Sequence, residues 1–176
     1  MSVSVLLLRG INVGGRNALP MAELRALLEG LGAEDVATYI QSGNAVFRGE
    51  VTAEVVSDKI EAAKGFRPQA LVMSRDRLAK VMGANPFPEE GAADGKSVHV
   101  WFFEGNPKAL EDETLALATP SERVEVTDKA AYLHAPDGIG RSKLAATLEK
   151  AMGVPATARN WRTVEAIAKL ADERRA

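Results

Sequence analysis

The residues best suited to chemistry are concentrated in one loop. "RGINVGGRN", residues 9–17, sets Arg9, Asn12, Arg16 and Asn17 among three glycines. Guanidinium groups pair bidentately with phosphate or carboxylate. Glycine admits the positive φ that lets backbone N–H groups turn toward one guest. A second polar turn, "QSGN", adds Gln41, Ser42 and Asn44. Together they describe an oxyanion site. The loop is not a Walker A motif, because the Gly-Lys-Ser/Thr ending is missing, and it is not G-x-G-x-x-G. A plain strand-to-helix turn with solvated arginines has the same composition.

Two further stretches carry similar chemistry. In "HAPDGIGRSKL", Gly138 and Gly140 precede Arg141, Ser142 and Lys143 at the start of a helix, where exposed N–H groups and the helix dipole favour an anion. Without an anion this is a loop ended by a serine cap. In "TARNWRTV", Arg159 and Asn160 are placed to face a ligand at the next helix start. Trp161 shares helical spacing with Val164, Ala168 and Ala171 and is read as a core anchor, with stacking on a base the alternative. Residues 141–162 hold Arg141, Lys143, Lys150, Arg159 and Arg162 against Glu149, a local +4, although the whole chain is at −2. The segment 104–113 is acidic.

The two histidines are His99, in an apolar strand and read as a satisfied packing residue, and His134. His134 with Asp137 is a conceivable general acid–base pair. The chain has no cysteine, which excludes disulfides, thiolate zinc sites and cysteine nucleophiles. No zinc spacing, paired carboxylates, G-x-S-x-G elbow or ribonucleoprotein signature is present. No metal or cofactor is expected. No signal segment or apolar run of about 18 residues appears, so the expectation is a cytoplasmic protein with no membrane partner.

The elements that must position these residues follow from periodicity. Val3–Leu8 is apolar at both parities, a strand covered on both faces. Met21, Leu24, Leu28 and Leu31 mark a helix, "DVATYIQ" and "NAVFRG" a hairpin, Ala53–Lys64 a second helix with Val55, Val56, Ile60 and Ala63 inward, and "PQALVM" a strand. That order is the split βαβ, or ferredoxin-like, pattern. Ser74 caps a linking helix to about Gly83, and "NPFPEEGAADGK" reads as a boundary loop. The order then begins again with "SVHVWFF", a helix from Pro107 to Ala118, the hairpin "RVEVT"/"AAYLHA" and a helix from Ser142 to Met152. The last strand is missing from this second pass, and Asn160 caps a final helix. The reading is α+β: two tandem ferredoxin-like halves with antiparallel sheets, residues 1–86 with the linking helix and 97–176 with a C-terminal helix.

This order has a consequence for the site. In a split βαβ sheet the first and second strands are parallel with the third between them. The first strand's exit and the hairpin turn then emerge at one edge, gathering Arg9, Asn12, Arg16, Asn17, Gln41, Ser42 and Asn44.

The stretches "LLRGINVGGRNALPMAELRALLEGLG", "YIQSGNAVF", "NPF", "YLHAPDGIGRSKL" and "TARNWRTV" closely resemble the bacterial family known as "domain of unknown function 1697" over nearly the whole chain. The resemblance implies a small bacterial cytosolic α+β protein from a family without an established activity. It brings no catalytic residues. It does imply that the polar stretches chosen above are the family's own signature. The expected function is binding of a phosphate-bearing ligand, nucleotide or nucleic acid. Beside it stand a small-metabolite enzyme using His134 and Asp137, and a protein–protein adaptor using exposed sheet edges.

Overall fold

The computed structural model describes residues 1–174. The chain divides into two compact units, Met1–Lys80 with the chain from Glu165 onward, and Val81–Val164. Each unit holds one four-stranded antiparallel sheet.

The first unit runs β1 (Val3–Arg9), α1 (Met21–Gly30), β2 (Glu34–Tyr39), β3 (Asn44–Arg48), α2 (Ala53–Lys64) and β4 (Gln69–Ser74). Its order β2-β3-β1-β4 is the ferredoxin-like arrangement. Val5, Leu6, Leu7 and Leu8 of β1 are all buried, so both faces of that strand are covered. Leu6 and Leu8 join Leu24 and Leu28 of α1, Phe47 of β3, and Val56 and Ile60 of α2 in one core. Thr52 caps α2 by accepting from the Val55 N–H, and Gly65 ends it in the left-handed conformation. Val55 and Ala63 are exposed, against expectation. Ser57 faces inward instead, with its Oγ donating to the Pro68 carbonyl at 3.0 Å.

α3 (Arg75–Gly83) starts on the expected cap, the Arg77 N–H donating to Ser74 Oγ. The polar segment read as a loop carries a short helix, α4 (Pro88–Ala93), with Pro88 in its first turn. Gly91 of α4 lies against the indole of Trp161, where a Cβ would sit 2.9 Å from ring Cδ1. Trp161 is buried, as its spacing predicts.

The second unit contains β5 (Val98–Phe103), α5 (Asp112–Leu115), β6 (Arg123–Val126), β7 (Ala130–His134), α6 (Lys143–Met152) and β8 (Ala156–Asn160). α7 (Trp161–Asp172) follows directly and crosses the division between the units. The sheet order β6-β7-β5-β8 repeats that of the first unit. Two expectations are corrected here. The second half does not lack its last strand: "ATARN" is β8, paired along β5 from Phe103↔Ala156 to His99↔Asn160. The helix expected from Pro107 to Ala118 shrinks to the single turn of α5. Leu110, Leu115 and Leu117 do not recur at three- and four-residue steps, so a long helix there would have no continuous apolar face to bury.

Candidate functional site

β1 and β2 are each antiparallel to β3, which lies between β2 and β1, so the β1 exit and the β2–β3 turn open at the same end of the sheet. The structure joins them directly. The Leu8 N–H donates to the Gly43 carbonyl at 2.8 Å. Asn12 Nδ2 donates to the Gln41 carbonyl at 2.8 Å. Gly43 sits at the point of contact with φ +94, where a Cβ would lie 2.7 Å from Leu8 Cβ and 2.9 Å from Ile11 Cδ1.

The glycine loop is a small β-hairpin. The Val13 and Arg16 backbones exchange hydrogen bonds at 3.2 and 2.9 Å, and the Asn12 N–H donates to the Asn17 carbonyl. Gly14 and Gly15 between them have φ of 56° and 75°. Two successive positive φ values define a type I′ turn, which selects glycine at both positions. No backbone hydrogen bond among the described residues engages the Gly14 and Gly15 N–H groups at the tip.

The asparagines build this edge. Asn12 and Asn17 are themselves left-handed. Asn12 Nδ2 also donates to the Leu19 carbonyl at 2.9 Å, and its Oδ1 accepts from the Leu19 N–H at 2.7 Å. Asn17 Nδ2 donates to the Gly10 carbonyl at 2.8 Å. Asn44 is buried, donating to the Tyr39 carbonyl and to Ser42 Oγ. Of the predicted residues, Arg9, Arg16, Asn17 and Gln41 are exposed, and Asn12 and Ser42 are half-buried. Arg9 reaches Gln69 of β4 at 3.4 Å. Residues 9–20 and 39–44 contain two arginines and no acid, so the end they form is cationic. Val13 is 64% exposed at the hairpin, and Ile40 is 49% exposed. Ile40 also holds φ 49°, a costly conformation for a β-branched residue.

In the second unit, β7 and β8 both run antiparallel to β5, so the β7 exit and the end of β8 share the end where β5 begins. His134, Asp137, Arg141, Ser142, Lys143, Arg159 and Asn160 belong to that end. Ser142 is the α6 cap, its Oγ accepting from the Ala145 N–H at 3.0 Å. Asn160 caps α7, its Oδ1 accepting from the Thr163 N–H at 2.9 Å. Arg141 and Lys143 flank Ser142 and are exposed. Arg159 is half-buried on β8, and burial lowers its pKa to about 10. Its Nη1 donates to the Ala158 carbonyl at 2.9 Å. Asp137 is engaged by Ser121, whose Oγ donates to Oδ2 at 2.7 Å. The His134 ring lies 6.0 Å from that of Phe87, and its Nδ1 is buried without a partner. His99 packs as expected but is not satisfied: its Nδ1 also lacks a partner, and burial pushes its pKa down to about 4. The predicted residues therefore form two sets, one in each unit.

One feature was not anticipated from sequence. At the β5 exit, the place equivalent to the glycine hairpin, a groove of about 570 Å³ opens beside β6, lined by Lys108, Leu110, Leu115, Val124 and Val126 among others. The acidity of residues 104–113 and the irregular leucine spacing were its only traces in the sequence. Among the described residues, no group of three or more His, Asp or Glu side chains converges to hold a metal ion. No helix there is long and apolar enough to cross a membrane.

A chain with this doubled sheet has a solved counterpart. The conserved bacterial protein SP0830 from Streptococcus pneumoniae superposes with a TM-score of 0.65 at 22% identity, covering 97% of this chain and 98% of that one. At that identity the likeness shows the fold alone. Residues 1–132 match the family described as "Protein of unknown function (DUF1697)", and the chain belongs to that family. No curated protein matches it.

Proposed function

We propose that the protein binds a phosphate-bearing ligand, a nucleotide or nucleic acid, at the hairpin edge of the first unit. The observation behind this reading is that residues 9–20 and 39–44 are tied into one body carrying Arg9, Arg16 and no acid. The asparagines spend their side chains on rigidity. The arginines and the Gly14 and Gly15 N–H groups then meet the guest at little cost in ordering. A projecting hairpin suits a ligand that presents its phosphates on a surface or in a groove. Exposed Arg141 and Lys143 at the start of α6, with Arg159 and Asn160, are a separate candidate anion site of the second unit, taken by itself. The setting proposed for this activity is the cytoplasm.

The test is a melting-temperature series with a nucleotide panel, tRNA and single-stranded DNA. A ligand at a hundred times its Kd adds about 2.7 kcal/mol by mass action. The gain should shrink in Arg16→Ala and Arg9→Ala, and for a polymer it should fall with salt. Arg16→Ala alone should move the unliganded melting point little, within about 0.5 kcal/mol, because its side chain is exposed. A flat response across the whole panel defeats the proposal.

A further inference from the structure

The second unit repeats the topology of the first but leaves uncovered what the first protects. α1 has ten residues, and its counterpart α5 has four. The chain from Glu104 to Glu111 runs as an irregular strap, held by the Lys108 N–H donating to the Met152 carbonyl at 2.8 Å. Between this strap, α5 and β6 lies the groove of about 570 Å³. Pro107, Leu110, Leu115, Val124 and Val126 give it an apolar lining, to which exposed Glu125 and Asp128 add negative charge against the single cation Lys108.

β6 is an edge strand, paired with β7 alone. The Thr127 N–H donates to the Ala130 carbonyl at 2.9 Å, which sets the phase of the ladder. Thr127, Glu125 and Arg123 bond toward β7, so Val124 and Val126 aim their N–H and C=O groups outward. No backbone hydrogen bond among the described residues reaches those outward groups. The β6–β7 ladder also runs without a register shift. The equivalent edge in the first unit is blunted. β2 has a register shift between Glu34 and Ala37, Asp35 sits at φ 51°, and Arg174 Nε donates to the Asp35 carbonyl at 2.6 Å. A straight, open edge beside an apolar groove is a template for another strand.

We propose that this groove is a peptide-binding site, in which an extended segment of alternating apolar and basic residues adds to β6 as a fifth strand. The main-chain groups of Val124 and Val126 supply two donors and two acceptors. The groove takes the apolar side chains, and acidic residues select the basic ones. Residues 104–129 carry seven acids (Glu104, Glu111, Asp112, Glu113, Glu122, Glu125, Asp128) against Lys108, Arg123 and Lys129, a net −4 in a chain of net −2. A second copy of β6 would bring the same acidic edge face to face, which is destabilising. The complementary occupant is a basic partner. This site is independent of the anion-binding reading, since its lining shares no residue with either cationic set and has the opposite charge.

The experiment uses the full chain, isotope-labelled for amide NMR. It is titrated with a blocked hexapeptide alternating Val or Ile with Lys or Arg, and with the same peptide carrying Glu at the basic positions. The basic peptide should shift the Val124, Val126 and Leu110 amides saturably, and the acidic one should bind at least roughly ten-fold more weakly. Val124→Pro removes an outward N–H without breaking the ladder and should weaken the basic peptide roughly ten-fold. If that variant fails to fold, the exposed double substitution Glu125→Lys with Asp128→Lys should invert the preference between the two peptides. Equal affinity for both peptides, shifts confined to other residues, or no shift at roughly 1 mM peptide would each overturn the proposal. So would light scattering that finds the free chain dimeric with its Val124 and Val126 amides protected from exchange.

Discussion

At the exit of β1 the chain folds back as a hairpin pinned to the neighbouring turn by Asn12. At the exit of β5 it runs out as a strap that leaves β6 uncovered. Both exits stand at the same position in one repeated topology. Topology brought the same two loops to the same end of each sheet, and a few side chains then decided whether they close on each other. Asn12 and Gly43 close the first pair: one supplies three hydrogen bonds, the other the absence of a Cβ. In the second unit Lys129 stands where Gly43 does, immediately before the third strand, and it is exposed. The two ends also carry opposite charge, two arginines without an acid in one, seven acids against Lys108, Arg123 and Lys129 over residues 104–129 in the other.

The sharpest way to break this comparison is at the paired turn positions. Gly43→Val places a branched side chain at φ +94, against Leu8 and Ile11, and should cost about 4 kcal/mol from combined overpacking and backbone strain. Lys129→Ala, at the equivalent exposed site, should stay within about 0.5 kcal/mol. Urea unfolding of both variants measures this. Similar losses at the two sites would show that the ends are not differently built.

A second difference is acid sensitivity, because His99 belongs to the second unit. His99 has its pKa lowered from 6.5 to about 4 by burial. The unfolded chain therefore takes up a proton below pH 6.5 that the folded chain refuses until about pH 4. Stability is unaffected by His99 above pH 6.5, falls between those limits and levels off below pH 4, with a total loss of about 3 kcal/mol. His99→Leu should flatten that part of the profile, and amide exchange at acidic pH should accelerate first in the second unit. An unchanged slope in His99→Leu would remove His99 as the cause.

The smallest effect is at the hairpin base. Asn12→Ala should cost about 2 kcal/mol by leaving the Leu19 N–H without its acceptor and the Gln41 carbonyl without its donor. Exchange of the Val13 and Arg16 amides should quicken. Asn106→Ala, in the exposed strap at the β5 exit, should stay within about 0.5 kcal/mol.

Much of this was legible locally. Ser74, Ser142 and Asn160 cap the helices that their positions announce. The buried run of β1, and the meeting of "RGINVGGRN" with "QSGN" at one end of a sheet, also followed from pattern and element order. β8 was missed because "ATARN" is short, half-polar and continuous with α7, so its strand character comes from pairing with β5. α5 was over-extended because residues 107–118 are good helix formers, and propensity yields where no apolar face can be buried. The asparagines read as ligand groups because an amide has the same bonding capacity toward a guest as toward a carbonyl of its own chain.

By itself the sequence determined the order of elements, their caps and stops, and hence which loops share an end of each sheet. These depend on periodicity and on groups a few residues apart. Only the tertiary structure decided that Asn12 would bond Gln41, that Gly43 would admit Leu8 and Ile11, and that β6 would be left with an open edge. Those outcomes depend on residues about thirty positions apart, or on a helix that failed to form, and they exist only once strand register has set which side chains face each other.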